Sequence, residues 1–134
     1  MKLTFKGGIH PYEGKELTMD KDVIEYVPKG DMVYPLSQHI GAPAKAVVKK
    51  GDRVLVGQLI AEAGGFVSAN IHSSVSGTVK AVEPRLTASG SKVNSIVIEN
   101  DNQFEEIEYV KNEKPLAELT KEEILEAIKN AGVV

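Results

Sequence analysis

Residues 47–82 read VVKKGDRVLVGQLIAEAGGFVSANIHSSVSGTVKAV, and the fold of the chain turns on how this stretch is punctuated. Short β-branched runs are interrupted by Gly51-Asp52, Gly57, Gly64-Gly65 and Gly77. Glycine reaches positive φ at little steric cost, and aspartate bonds readily to nearby backbone, so KKGDRV predicts a turn between two strands. Gly64-Gly65 suits a two-residue hairpin turn, which would pair AEA (61–63) with FVSA (66–69) antiparallel.

The same rhythm continues outward. LTF (3–5), VIEYV (23–27), MVYPL (32–36), KAVVKK (45–50), RVLVGQLIAEA (53–63), FVSANIH (66–72), GTVKAVE (77–83) and NSIVIEN (94–100) are the strand candidates, with FEEIEYV (104–110) as a last edge strand. Pro28, Pro35, Pro43 and Pro84 fall where proline, which cannot donate to a ladder, is tolerated: strand ends and edges. Short strands between turn signals predict a mainly β sandwich or barrel. The last residues change period. Thr120 and Glu123 form a capping-box pair, Ile124, Ile128 and Ala131 recur at helical spacing, and Gly132 is the expected stop. This predicts a barrel over 1–112, a linker over 113–119, and a C-terminal helix at 120–134 that reads as the first element of a following domain.

Composition bounds what such a chain can do. At 134 residues and 42% hydrophobic content it can bury one core. It has no cysteine, which excludes disulfides, thiolate catalysis, cysteine-ligated zinc and iron-sulfur clusters within the chain. Residues 1–100 carry 12 basic and 10 acidic groups, whereas residues 101–134 carry 4 and 9, so the tail is acidic. Aromatic residues are 5% of the chain and the lysines are scattered, which argues against nucleic acid as a partner. No window has the length and apolarity of a signal peptide or a membrane span, so direct membrane insertion is not expected and a cytoplasmic location is.

The pattern GDxVxxGQ at Gly51, Asp52, Val54, Gly57 and Gln58, followed by SGTV at residues 76–79, resembles the barrel-sandwich hybrid of biotinyl and lipoyl domains. Those domains carry their cofactor on a lysine at a hairpin tip. Counting back from Ser76-Gly77, that position falls on Phe66, and a phenylalanine cannot form the amide. Lys80 and Lys92 lie in expected strands, and Lys49 and Lys50 on the neighbouring turn.

A narrower resemblance is carried by GGIHP (7–11), PLSQHIGAPA (35–44), VSANIHSSVSGTV (67–79), NSIVIEND (94–101) and AIKNAGVV (127–134): in this order they are similar to the N-terminal domain of RnfC, a component of the bacterial Rnf electron-transport complex. A more distant likeness is to the A-type component of the Na+-translocating NADH:quinone reductase. The Rnf resemblance implies a non-catalytic scaffold and docking domain, peripheral on the cytoplasmic face of the cell membrane, in a complex that couples ferredoxin and NAD electron transfer to movement of Na+ or H+. For the full-length RnfC protein it implies FMN, NAD(H) and 4Fe-4S clusters, with none in this stretch. The partners it implies are the following domains of the same polypeptide and the other members of the Rnf complex. A carrier domain of another multienzyme system and a small metal-dependent β-sandwich hydrolase remain as alternatives.

Candidate sites follow from the residues. His10, His39 and His72 could make a three-histidine metal site if the fold brought them together, but histidines bonded to backbone at strand ends are commoner. The acid pairs Glu105-Glu106 and Glu122-Glu123 read as solvated surface, the second in a helix first turn where the dipole favours acid. No catalytic, cofactor-binding or metal residue is assigned. Docking candidates are Gln38, His39 and Ile40 in the proline-bounded loop 35–43, and Ile124, Leu125 and Ile128 on the terminal helix. The Phe66 position gives a direct expectation: intact-mass spectrometry after co-expression with biotin and lipoyl ligases should show only the unmodified chain. A mass increment of either cofactor would overturn the reading of Phe66.

Overall fold

The computed structural model describes residues 7–8, 11–109 and 114–133. Its strands are β1 (Asp31–Pro35), β2 (Lys45–Ala46), β3 (Arg53–Val54), β4 (Leu59–Glu62), β5 (Ile71–His72), β6 (Gly77–Leu86) and β7 (Lys92–Asn100), followed by a short 3-10 turn at Leu116–Glu118 and helix α1 (Lys121–Asn130). Two antiparallel sheets form, one ordered β1-β7-β6-β3 and the other β2-β4-β5. This is the mainly β sandwich with a C-terminal helix that the sequence predicts.

Alternation along the strands decides which side chains enter the core. Tyr34 from β1, Val54 from β3, Val79 from β6 and Ile96 and Ile98 from β7 meet Ile60, Ala61 and Ile71 from the opposing sheet, with Leu36, Ala44 and Val75 filling between. Ile60 and Ala61 are consecutive yet both fully buried, because the register of β4 against β5 shifts between Leu59 and Ala61 and a bulge re-aims one of them. Small residues, Ala44 and Ala61, keep the two short sheets close.

One tight point within the larger sheet is Ser76-Gly77. Gly77 is registered against Val54 of β3 on one side and Asn100 of β7 on the other. An ideal Cβ on Gly77 would lie 2.0 Å from the carbonyl oxygen of Glu99, a backbone atom that cannot swing aside. Beside it, the Ser76 hydroxyl donates to Asp101 Oδ1 at 2.6 Å and accepts the Glu105 N–H at 3.1 Å. Arg53 then bridges Asp101 and Glu105, so the segment leaving β7 is tied across β3. The Ser76 hydroxyl, the Gln103 N–H and the Arg53 guanidinium hold the Asp101 carboxyl below the usual carboxylate range.

Several local expectations are corrected. VIEYV (23–27) is not a strand: it is exposed, with no pairing partner among the described residues. FVSA does not pair with AEA across Gly64-Gly65. The β4 partners are His72 and Ile71, and residues 63–70 form a wider loop. Side chains explain it, since Asn70 Oδ1 accepts the Ala63 N–H and Ser68 Oγ accepts the Gly64 N–H, taking amides that a two-residue turn would leave for cross-strand pairing. The last edge strand shrinks to one parallel bridge between Val56 and Glu106. LTF (3–5) and Val110 lie outside the described residues. The KKGDRV turn forms as expected, with Gly51 at φ +95° and the Lys49 N–H bonded to Asp52 Oδ2.

Gly77→Val should destabilise the chain by about 3 kcal/mol, the upper end of the range for overpacking. Thermal melting is the check. A midpoint within a degree of the parent's would show that the strands do not approach as closely at Gly77 as described.

Candidate docking surface

The loop at the end of the β4–β5 hairpin is where the described candidates meet. Phe66 stands at its apex, fully exposed. Beneath it the backbone is fastened on both sides. In addition to the bonds from Asn70 and Ser68, the Ser68 hydroxyl donates to the Ala42 carbonyl at 2.8 Å and the Ala42 N–H donates to the Val67 carbonyl at 3.0 Å. Gly41 is at φ +113°, and a Cβ there would lie 2.1 Å from the Val67 carbonyl oxygen, so glycine is what allows loop 35–43 to lie against the hairpin loop.

His39 belongs to this fastening. Its Nε2 accepts the Ala69 N–H at 3.0 Å, which makes Nδ1 the protonated nitrogen, and Nδ1 donates to the Ile40 carbonyl at 3.1 Å. Both ring nitrogens are therefore engaged and neither is free for a metal. Gln38 and Ile40 on either side face solvent, Ile40 at 91% exposure. Of the three loop candidates, two are presented outward and the third holds the loop in place.

The helix comes to the same end of the barrel. Thr120 and Glu123 form the expected capping box, and Gly132 at φ +76° ends the helix with Gly132 N–H to Lys129 O and Val133 N–H to Ile128 O, the paired bonds of a Schellman stop. A Cβ on Gly132 would lie 2.6 Å from the Asn70 carbonyl oxygen, so the helix C-terminus sits directly on the root of the hairpin loop. Between them lies an apolar groove of about 460 Å³, lined by Phe66, Val67, Leu125, Ile128, Lys129 and Val133 among others. Leu125 and Ile128 are about half exposed, and Ile124 is half-buried outside the groove lining.

The two sets of docking candidates, more than 80 residues apart in the chain, thus flank one rigid aromatic tip. Phe66 and Val67 were not among the expected docking residues. The available signal was their position at a carrier-hairpin tip, which reads as a vacant attachment point rather than as a contact.

The other candidates are placed as follows. His39 and His72 line one cavity of about 440 Å³ with Tyr34, Gln38 and Asn70, and His10 lies outside the described residues. Among the described residues no group of three or more His, Cys, Asp or Glu side chains is arranged to hold a metal ion. Glu105 and Glu123 are not simply solvated: Glu105 bonds Arg53 and Glu123 completes the cap, where Lys114 and the Thr120 N–H draw its carboxyl below the usual range. A 4Fe-4S cluster of the kind implied for a full-length RnfC protein needs cysteine thiolates, which the chain lacks.

These features define a barrel-sandwich hybrid with an exposed aromatic side chain, Phe66, on the loop between β4 and β5. The sequence profile of the RnfC barrel sandwich hybrid domain matches residues 3–103, and the chain belongs to this family. Relatives it matches are the C-type components of ion-translocating oxidoreductase complexes. It is 46% identical over 132 residues to that of the Na+-translocating ferredoxin:NAD+ oxidoreductase complex of Acetobacterium woodii, covering 98% of this chain and 30% of the relative. It is 43% identical over 135 residues to that of the proton-translocating ferredoxin:NAD+ oxidoreductase complex of Clostridium ljungdahlii, covering 100% and 29%. Against that of the ion-translocating oxidoreductase complex of Rhodobacter capsulatus the identity is 41% over 134 residues, 98% and 25% of the two chains. The chain therefore spans less than a third of the length of these relatives.

His39→Ala leaves the Ala69 N–H without its acceptor and should cost about 1–2 kcal/mol of stability, whereas Gln38→Ala should cost under about 0.5. Chemical denaturation of both variants checks this. Equal midpoints would mean that His39 does not fasten the loop.

Proposed function

We propose that this chain is a non-catalytic scaffold and docking domain of the RnfC component of an ion-translocating ferredoxin:NAD oxidoreductase, serving electron transport by assembly rather than by chemistry. The observation that carries the reading is the convergence of loop 35–43, the Phe66 tip and helix α1 at one end of the barrel, in a chain of the RnfC family. Rigid, hydrogen-bonded loops with exposed apolar side chains lose little conformational entropy on association, which suits them to docking. The carrier alternative lacks an attachment nucleophile at the tip. The hydrolase alternative lacks a ligand set among the described residues.

In this reading the barrel, residues 1–112, is the docking body, 113–119 is a linker, and the helix begins the next domain of a longer polypeptide. Ile124, Leu125 and Ile128 serve contact with that domain. Gln38 and Ile40, positioned by His39, serve contact with other members of the complex. FMN, NAD(H) and 4Fe-4S clusters would be held by those other parts. The protein would sit peripherally on the cytoplasmic face of the membrane, in keeping with the absence, among the described residues, of any helix long and apolar enough to cross it.

The test uses a hybrid protein in which this chain replaces the matching residues of the Acetobacterium woodii relative. Ile124→Ser with Ile128→Ser should lower the melting temperature of the hybrid by several degrees while leaving that of the isolated 134-residue chain nearly unchanged. Gln38→Ala with Ile40→Ser should leave the hybrid's melting nearly intact and reduce its co-purification with the complex severalfold. Normal assembly of the second variant would mean that loop 35–43 is only a crossover.

A further inference from the structure

We infer that the open edge of β6 is a latent pairing surface for a second copy of this chain, and that Pro84 keeps it single. The inference depends on the register of the larger sheet alone, whatever the domain docks to.

In the sheet ordered β1-β7-β6-β3, only one end of β6 is covered on its outer side. There β3 pairs with Gly77 and Thr78, and the neighbouring turn takes Val79, whose N–H donates to the Asp52 carbonyl and whose carbonyl accepts the Gly51 N–H. From Lys80 to Leu86 the outer edge has no partner among the described residues. The register decides which residues face it. The Asn94 carbonyl accepts the Leu36 N–H, so Asn94 directs its main-chain groups to the β1 side. Pro84 stands opposite Asn94, and residues opposite each other in an antiparallel ladder either exchange both bonds or turn both sets of groups away. Pro84 therefore faces the open edge, together with Val82 and Leu86, two residues away on either side. Proline brings no N–H to that edge. The opposite edge of the sheet is built alike: Pro35 of β1 is registered against Ser95, the residue after Asn94, and so it too faces outward.

Apart from the proline, the β6 edge fits a copy of itself. Laid antiparallel about a two-fold axis at residue 84, the run Val82-Glu83-Pro84-Arg85-Leu86 sets Glu83 opposite the partner's Arg85 and Val82 opposite the partner's Leu86. Opposite charges and apolar pairs across a ladder both stabilise it. Glu83 and Arg85 share one face of β6, joined at 2.7 Å, and the pairing would add two further ion pairs there. Val82 and Leu86, 41% and 70% exposed, supply the other face. Such a contact is isologous and closes at two copies. At its centre, however, both main-chain bonds must run between the two residues 84, and two prolines supply neither donor. One residue thus withholds the central bonds from an edge that is self-complementary on both faces, as prolines on sheet edges do.

Sedimentation equilibrium and amide hydrogen exchange on the isolated chain test this. At about 1 mM the parent should be a monomer whose Val82 and Leu86 amides exchange fast. Pro84→Thr restores an N–H on a strand-forming residue and disturbs no bond of the β6–β7 ladder, so in dilute solution it should melt as the parent does. At about 1 mM it should be mostly dimeric, with exchange at residues 82, 84 and 86 slowed at least about tenfold. Adding Glu83→Lys sets lysine against the partner's Arg85 on both sides of the axis and should weaken that dimer at least about tenfold. A monomeric Pro84→Thr chain would overturn the inference, as would a dimer that Glu83→Lys leaves unweakened, which would lie elsewhere. Slow exchange at Val82 and Leu86 in a monomeric parent would show the edge covered by the chain itself, and a dimeric parent would show that the proline does not keep it single. Failure of Pro84→Thr to fold would also contradict it, because residue 84 would then be needed for the ladder with β7.

Discussion

Strand β6 approaches β7 at Gly77 more closely than any side chain would allow, and the barrel is organised around that approach. Because Gly77 has no Cβ, β6 can register with β3 and β7 at the same residue, against the Glu99 carbonyl. Closing the strands there brings Val54, Val79, Ile96 and Ile98 into one layer, against which Ile60 and Ala61 of the second sheet pack. The neighbouring serine uses the confined space differently. Its hydroxyl is fully engaged with Asp101 and the Glu105 amide, so the chain leaving β7 is secured by hydrogen bonds beside the packing of Phe104 on the core.

The β4–β5 hairpin belongs to the second sheet, and the proposed role of the domain turns on what its loop carries. In carriers the tip must deliver a tethered group, which favours a long lysine arm. Here the tip is an aromatic ring on a backbone fastened by Ser68, Asn70 and His39, and helix α1 abuts its root. Such a surface has little freedom to swing and much apolar area to cover. The same architecture thus favours a fixed contact over a travelling one.

The barrel was legible in the sequence because its determinants are local: glycines at tight turns, Asp52 beside Gly51, alternating β-branched runs, and a capping box with a glycine stop. Where acceptors came from side chains, the reading failed. Gly64-Gly65 looks like a two-residue turn until Asn70 and Ser68 are known to take the amides of Ala63 and Gly64. VIEYV has strand propensity, but propensity does not supply a neighbouring edge, and none pairs with it among the described residues. The docking candidates were found as two separate segments. Their convergence depends on Gly41 and Gly132 lying against the Val67 and Asn70 carbonyls, contacts far apart in sequence. The sequence marks Phe66 only by resemblance to a carrier tip, whereas its place beside Leu125 and Ile128 depends on where helix α1 packs.

The claim that this fold serves by docking is tested most directly by removing it. The Acetobacterium woodii relative can be prepared with and without the stretch that corresponds to residues 1–112, and each form assayed both for bound flavin and iron and for co-purification with the rest of its complex. Loss of co-purification by the truncated form, with flavin and iron content per molecule unchanged, is the predicted result. Assembly that proceeds normally while flavin or iron is lost would contradict the account, because the barrel would then be part of a cofactor site rather than a docking body.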